Sequence, residues 1–391
     1  MTLDISRARA ETPGCDYVLH FNNAGAGLPP APVLNAVKDH LDAEALGGGY
    51  EAAAAARDRV ERTYAAAAEL LNCAPDEIAV VENATRAWDM AFYSFRFAQG
   101  DRILTAEAEY ASNYIAYLQT ARATGATVEA IPSDEHGQVS ASALAEMLDD
   151  RVKLIAITHV PTNGGLVNPA AAIGRMARDA GIPFLLDACQ SVGQMPVDVE
   201  AIGCDILSAT GRKYLRGPRG TGLLYVRHAL IEKLEPPFLD LHAAEWTAAD
   251  TYAIRNDARR FETWEGSVAG KIGLGVALDY ALDWGLEAIY ERVTGLADAL
   301  RAGLADIPGI TVRDLGAEQC GIVTFTRDGT DPTEIQRALS AQKINIAVSP
   351  RNFTRLDMDA RDLDALARAS VHYYNTEDEV ARFCAAVAAV D

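Results

Sequence analysis

The sequence contains no C-x-x-C pair. Its six cysteines, Cys15, Cys73, Cys189, Cys204, Cys320 and Cys384, are scattered along the chain. That spacing speaks against a disulfide framework and fits a reducing, cytoplasmic setting. Seven histidines form no H-E-x-x-H or H-x-H run, so a dedicated metal site is not expected. Long apolar runs are missing, and MTLDISRARAETPG lacks the apolar core of a signal peptide. Positive charge is scarce: 35 Lys and Arg stand against 55 Asp and Glu, for a net charge of −20. An acidic surface of this kind argues against non-specific binding to nucleic acid or anionic membrane. Repeats and low-complexity linkers are absent as well.

What remains is an ordinary globular composition, 49% hydrophobic and 23% charged over 391 residues, long enough for two or three structural domains. From about residue 78, short apolar runs alternate with helical segments. The runs are EIAVV, RILTA, TVEAIP, KLIAIT, IPFLLDA, DILSA and TGLLYV. Such alternation predicts an α/β fold with a mostly parallel sheet, in which ligands bind outside the carboxyl ends of the strands. Past about Phe261 the pattern changes, and alternating strands and helices suggest a smaller C-terminal α+β domain.

Two residues carry the chemistry. Asp187 ends the apolar run IPFLLD, and Lys213 follows the next run in SATGRKYLRGPRGTG. A carboxylate at a strand end and a lysine on a glycine-rich turn suit pyridoxal phosphate (PLP). The lysine bonds the aldehyde, and the aspartate keeps the pyridine nitrogen protonated. Burial and nearby cations lower a lysine's pKa, and Arg212, Arg216 and Arg219 supply cations. Asp187 alone would equally serve as a helix N-cap. Gln190, a helical turn on, can donate to the ring oxygen. The strand-to-helix passage VVENATRAWDMAF offers free N–H groups at Ala84, with Thr85 and Arg86 as phosphate candidates. Their alternative is a capped structural helix. Tyr110, after RILTA, is placed to stack on a ring, although a tyrosine there is more often packing. His159, Thr162 and Asn163 lie at another strand end, with Thr162 or Asn163 in reach of the ring oxygen.

With these residues in place, the chain resembles the class V aminotransferase group of fold-type I PLP enzymes. That group includes cysteine desulfurases, isopenicillin N epimerase and the ergothioneine-pathway C–S lyases. The likeness runs from FNNAGAGLPP to SVHYYNTEDEV and is most specific in LLDACQSVGQ and SATGRKYLRGPRGTG. It implies a large PLP-binding domain, 15–265, with a mostly parallel seven-stranded sheet, and a small domain, 266–391 with residues 1–14. It implies a homodimer acting on an amino acid, with active sites at the subunit interface. Lys213 then bonds the cofactor, Asp187 meets the pyridine nitrogen, and Gln190 and Thr162 meet the ring oxygen. Thr85, Thr210 and Arg212 match phosphate contacts, and Tyr110 matches the stacking position. Arg368 matches the arginine that grips the substrate carboxylate, with His159, Asn23 and Tyr50 as further substrate candidates. Gly266 and Ser267 match the segment that reaches the partner's phosphate.

Two departures stand out. The loop before Arg368, INIAVSPRNFTRLDMDARDLDALARAS, has no cysteine, where desulfurases carry a nucleophilic one. That speaks against a persulfide mechanism. Cys189 is expected to point into the core. The run W-E-G-S at Trp264–Ser267 replaces the usual A-G-T-P-N. GGY at Gly48–Tyr50 and E-Y-x-x-N at Glu109–Asn113 lean toward the ergothioneine-pathway lyases. The leading expectation is therefore β-elimination, cleaving the C–S bond of an S-substituted cysteine or its sulfoxide. Lys213 and Tyr110 would be the catalytic groups. Amino transfer and epimerisation are the alternatives; a cysteine desulfurase, for want of the loop cysteine, and a non-catalytic scaffold rank below them.

Overall fold

Seven apolar runs pair into one sheet in the computed structural model. The structure describes residues 3–390; residues 1, 2 and 391, the outer ends of the two expected domain ranges, lie outside it. The strands are β1 (Ile78–Val81), β2 (Arg102–Ala106), β3 (Thr127–Ile131), β4 (Val152–Thr158), β5 (Phe184–Asp187), β6 (Ile206–Thr210) and β7 (Gly222–Val226). Their order is β1-β7-β6-β5-β4-β2-β3. The pairs β2–β3, β2–β4, β4–β5 and β5–β6 are parallel; β7 runs antiparallel to both β1 and β6. The mostly parallel α/β sheet read from the sequence is present.

The central runs are largely apolar because both faces of the sheet are covered; the edge strand β3, with Thr127 exposed and Glu129 half-buried, is not. Ile157, Leu186 and Leu207 point into one core, with Ala66 and Leu70 of α1 (Arg57–Leu71). Ala156, Leu185 and Ile206 point into the other, with Trp88 and Phe92 of α2 (Ala84–Phe92) and Tyr117 of α3 (Ala111–Thr124). Ile173 and Ala177 of α4 (Ala170–Ala180) join the first core.

Strand periodicity then places the site. Thr105, Thr158, Asp187, Ser208 and Thr210 share the parity of Ile103, Ala156, Leu185 and Ile206, so they lie on the α2–α3 face at the carboxyl ends of four strands. All five are buried. A row of buried polar side chains at strand ends is where such a sheet receives a ligand.

The C-terminal part builds a four-stranded antiparallel sheet from β8 (Ile310–Val312), β9 (Ile322–Arg327), β10 (Ala347–Pro350) and β11 (Ala365–Ser370), in the order β8-β9-β11-β10. Its core holds Leu296, Leu300, Val323, Phe325 and Phe383, joined by Ala8, Leu19 and Phe21 from the N-terminal segment. One helix, α5 (Val268–Trp284), serves both cores: Leu274 and Leu278 pack in the first, Tyr280 and Trp284 in the second. An exposed hairpin, Ala244–Ala248 with Thr251–Ile254, carries Trp246 and Tyr252 outward. Ala244–Ala248 alternates apolar and polar residues, yet the hairpin is almost wholly exposed. Among the described residues, no helix is long and apolar enough to cross a membrane.

Candidate active site

The turn between β6 and β7 carries Lys213. It is closed at its neck by Gly211 N–H to Thr221 O (3.0 Å) and by Gly217 N–H to Gly211 O (2.7 Å). Gly27 fits against it because a Cβ there would sit 2.6 Å from Lys213 O. Arg216, read from the sequence as a cation near Lys213, is instead a buried anchor. Its Nε donates to Leu28 O at 2.8 Å, and its guanidinium bonds Tyr373 and Thr12. The groups that bear on Lys213 are Cys189, Arg212, Asp187 and Arg368. Burial is the main cause that lowers its amine, to about 8, with Arg212 and Arg368 acting in the same direction.

Asp187 is held from two sides. Its Oδ1 accepts from Cys189 N–H at 3.0 Å, and its Oδ2 from Asn113 Nδ2 at 2.9 Å. The Cys189 thiol, on the turn after β5, is half-buried, stands outside the apolar cores and bears on Lys213 and Asp187. Burial pushes this thiol well above its ordinary value, and the neighbouring Asp187 charge adds to that.

Arg368, on β11, brings the small sheet to the site. It is buried, donates to the Thr162 hydroxyl, and keeps its Nε without a partner. Burial lowers its guanidinium to about 10, which leaves it charged at neutral pH. Tyr110 bears on it and is about one-third exposed at the N-cap of α3. His159 is buried with an unpartnered Nδ1, and burial lowers its imidazole to about 4, so it is neutral. Arg212 donates to the Thr210 hydroxyl at 2.9 Å.

The N-terminus of α2 presents Ala84, buried, and Thr85, exposed; Asn83 Oδ1 caps it by accepting from Arg86 N–H at 2.9 Å. Gly222 lets β7 approach this end, since a Cβ would meet Asn83 C at 2.5 Å and Ala84 N at 2.9 Å. The Arg86 guanidinium lies over the Phe238 ring, 4.9 Å from its centroid.

Other expected residues sit differently. Gln190 Nε2 donates to Ala24 O at 3.2 Å, leaving Oε1 buried and unpartnered. Asn23, expected at the substrate, is a structural tie: it donates to Ser370 O at 2.8 Å and accepts from Tyr374. The neighbouring Asn22 has the free buried oxygen. Tyr50, Gly266 and Ser267 line an exposed groove with Trp264 and His242, away from Lys213. Ser267 also N-caps α5.

The donor set fits PLP. An amine of lowered pKa, a fixed carboxylate, a helix N-terminus whose Arg86 N–H is capped by Asn83, and unpartnered polar atoms on Gln190, His159 and Arg368 converge at the strand ends. Fold and site together define a PLP-dependent enzyme of fold type I. The chain belongs to the class V aminotransferase family, whose model, "Aminotransferase class-V", matches residues 18–383. A protein named "Probable cysteine desulfurase" from Methanothermobacter thermautotrophicus is 29% identical, covering 93% of this chain and 92% of its own. The solved cysteine desulfurase of Thermococcus onnurineus NA1 superposes with a TM-score of 0.90 at 26% identity, over 98% of this chain and 97% of its own. A structure of the cystine C–S lyase C-DES with cysteine persulfide has a TM-score of 0.87 at 25% identity, over 97% of this chain and 99% of its own.

These findings correct the expected reaction. Curated relatives matching over nine-tenths of the chain are named as probable cysteine desulfurases. The likeness to the C–S lyase C-DES does not outweigh them, and the β-elimination reading falls. The lean toward the ergothioneine-pathway lyases falls with it.

Proposed function

We propose that this enzyme removes sulfur from a cysteine-class amino acid and passes it to a thiol that the chain itself does not provide. The observation that carries the proposal is the joining of Lys213, Asp187 and a buried Arg368 in one site, in a chain whose curated relatives bear desulfurase names. PLP, when bound, supplies an electron sink at the substrate's α-carbon. Asp187 would hold its ring nitrogen, the N-terminus of α2 with Thr85 and Thr210–Arg212 its phosphate, and Lys213 its aldehyde carbon. Arg368 offers the guanidinium fork that a substrate carboxylate needs, backed by Thr162. Lys213 would be the base that takes the α-proton and the acid that returns one.

The acceptor follows from the chain's own thiols. The loop before Arg368 has no cysteine. Burial raises all six thiols, so none is a ready thiolate. The acceptor sulfur would bond the substrate sulfur as the Cβ–S bond breaks. That bond's electrons stay with the carbon skeleton, which gains a proton. Cysteine and R–SH become alanine and R–S–SH, without an outside oxidant.

The test is alanine formation from L-cysteine by the holoenzyme, with and without an added small thiol. Alanine that depends on the thiol, and that persists in Cys189→Ser, supports the proposal. Pyruvate in place of alanine, or no alanine at any thiol concentration, overturns it.

A further inference from the structure

Glu109 and Asn113, four residues apart in the E-Y-x-x-N run, form a buried bridge to Asp187. Glu109 Oε2 accepts from the Thr105 hydroxyl at 2.9 Å and from Thr158 N–H at 3.1 Å. Its Oε1 accepts from Tyr110 N–H at 2.8 Å, from Asn113 Nδ2 at 3.0 Å and from the Thr158 hydroxyl. No cation is among its hydrogen-bond partners, and it is only 2% exposed. Asn113 Nδ2 thus gives one hydrogen to Glu109 and the other to Asp187 Oδ2.

Burying a carboxyl is costly, and here burial pushes it up to about 7, with the neighbouring Asp187 charge adding to the shift. Packing alone does not call for an acid at this place. The hydrogen bonding does: three of the five contacts come from N–H groups of Tyr110, Asn113 and Thr158, which can only donate, and they fall on both carboxyl oxygens, while the two threonine hydroxyls adapt. Glu109 also settles the Asn113 amide. Turned over, that amide would set its oxygen against the Asp187 carboxylate.

We propose that Glu109 is a positioning residue that acts through Asn113 to hold Asp187 in the orientation in which it meets the cofactor's ring nitrogen. The proposal rests on the reading that Asp187 pairs with that nitrogen. In Glu109→Gln, the new NH2 faces a backbone N–H in either amide orientation, of Thr158 or of Tyr110, so the hold on the Asn113 amide weakens and that amide can turn. Asp187 then loses one of its two fixed hydrogen bonds.

The experiment is the nitrogen-15 chemical shift of the ring nitrogen in holoenzyme reconstituted with ¹⁵N-labelled PLP, together with the PLP dissociation constant. Five proteins are compared: wild type, E109Q, N113A, the E109Q/N113A double variant and D187N. Near-isosteric E109Q keeps the volume, and N113A reaches the same bridge from its other end. The expected E109Q shift moves part of the way from wild type to D187N, with PLP bound roughly ten-fold more weakly, the scale of one lost hydrogen bond to a charged group. The double variant should match N113A, because Glu109 works through Asn113. A wild-type shift in E109Q beside a moved one in D187N overturns the proposal alone, as does additivity in the double variant. An unmoved shift in D187N overturns the Asp187 pairing and the proposal with it.

Discussion

At the residue scale, the lowered amine of Lys213 sets a pH window. Only the neutral amine attacks an aldehyde, so covalent loading of the apoprotein with PLP should rise as pH passes about 8 and level off above it. Stopped-flow absorbance against pH checks this; an inflection near the ordinary lysine value would contradict it. Arg368→Lys keeps a charge but loses the fork. Its KM for L-cysteine should rise by about ten-fold or more, with PLP still bound. Unchanged KM would remove Arg368 from the carboxylate role. The sequence made Lys213, Asp187 and Arg368 legible because their neighbours are distinctive. It hid the roles of Asn23 and Arg216, whose partners Ser370 and Tyr373 lie hundreds of residues away. The setting of Cys189 was not readable, because it lies on a turn where strand alternation no longer fixes a side.

At the element scale, a close approach at Gly222 shapes the phosphate end. Gly222→Ala would drive a Cβ into the start of α2, an overpacking that costs about 1–3 kcal/mol. Lower PLP affinity with a retained fold is expected, by equilibrium dialysis and circular dichroism. Nearby, Glu262 ties α1, β1 and α5 to the run leading into Gly266. It accepts from Tyr64 at 2.9 Å, Val80 N–H at 2.8 Å and Lys271 at 3.0 Å. Burial would raise its carboxyl, but His242, Lys271 and Val80 outweigh it and hold it at about 2. A depressed folded pKa gives stability that is present above the unfolded carboxyl value, about 4.3, and lost as pH falls through about 2. Glu262→Gln should therefore cost on the order of 3 kcal/mol at pH 7 and progressively less below pH 4, by urea unfolding. A deficit independent of pH would contradict this. The strands of the large sheet were legible because most are apolar on both faces; the hairpin at 244–254 was not, since its short strands carry Glu and Thr and bury neither face.

At the scale of the whole molecule, the groove with Tyr50, Trp264, Gly266 and Ser267 is exposed in one chain. We infer that a second copy covers it. Light scattering should give twice the chain's 41.9 kDa, and Trp264→Asp should shift it toward monomer while PLP is lost more readily. A wild-type monomer that retains PLP fully would contradict this. Such surfaces are poorly legible in sequence, because exposed aromatics mark a contact without naming what meets them. The central claim is that one PLP bonds each chain at Lys213. Borohydride reduction of the holoenzyme, followed by peptide mass mapping, tests it most directly. One pyridoxyl group per chain, on the peptide bearing Lys213 and absent in Lys213→Ala, is the predicted result. A group on another lysine, or none, would contradict the account.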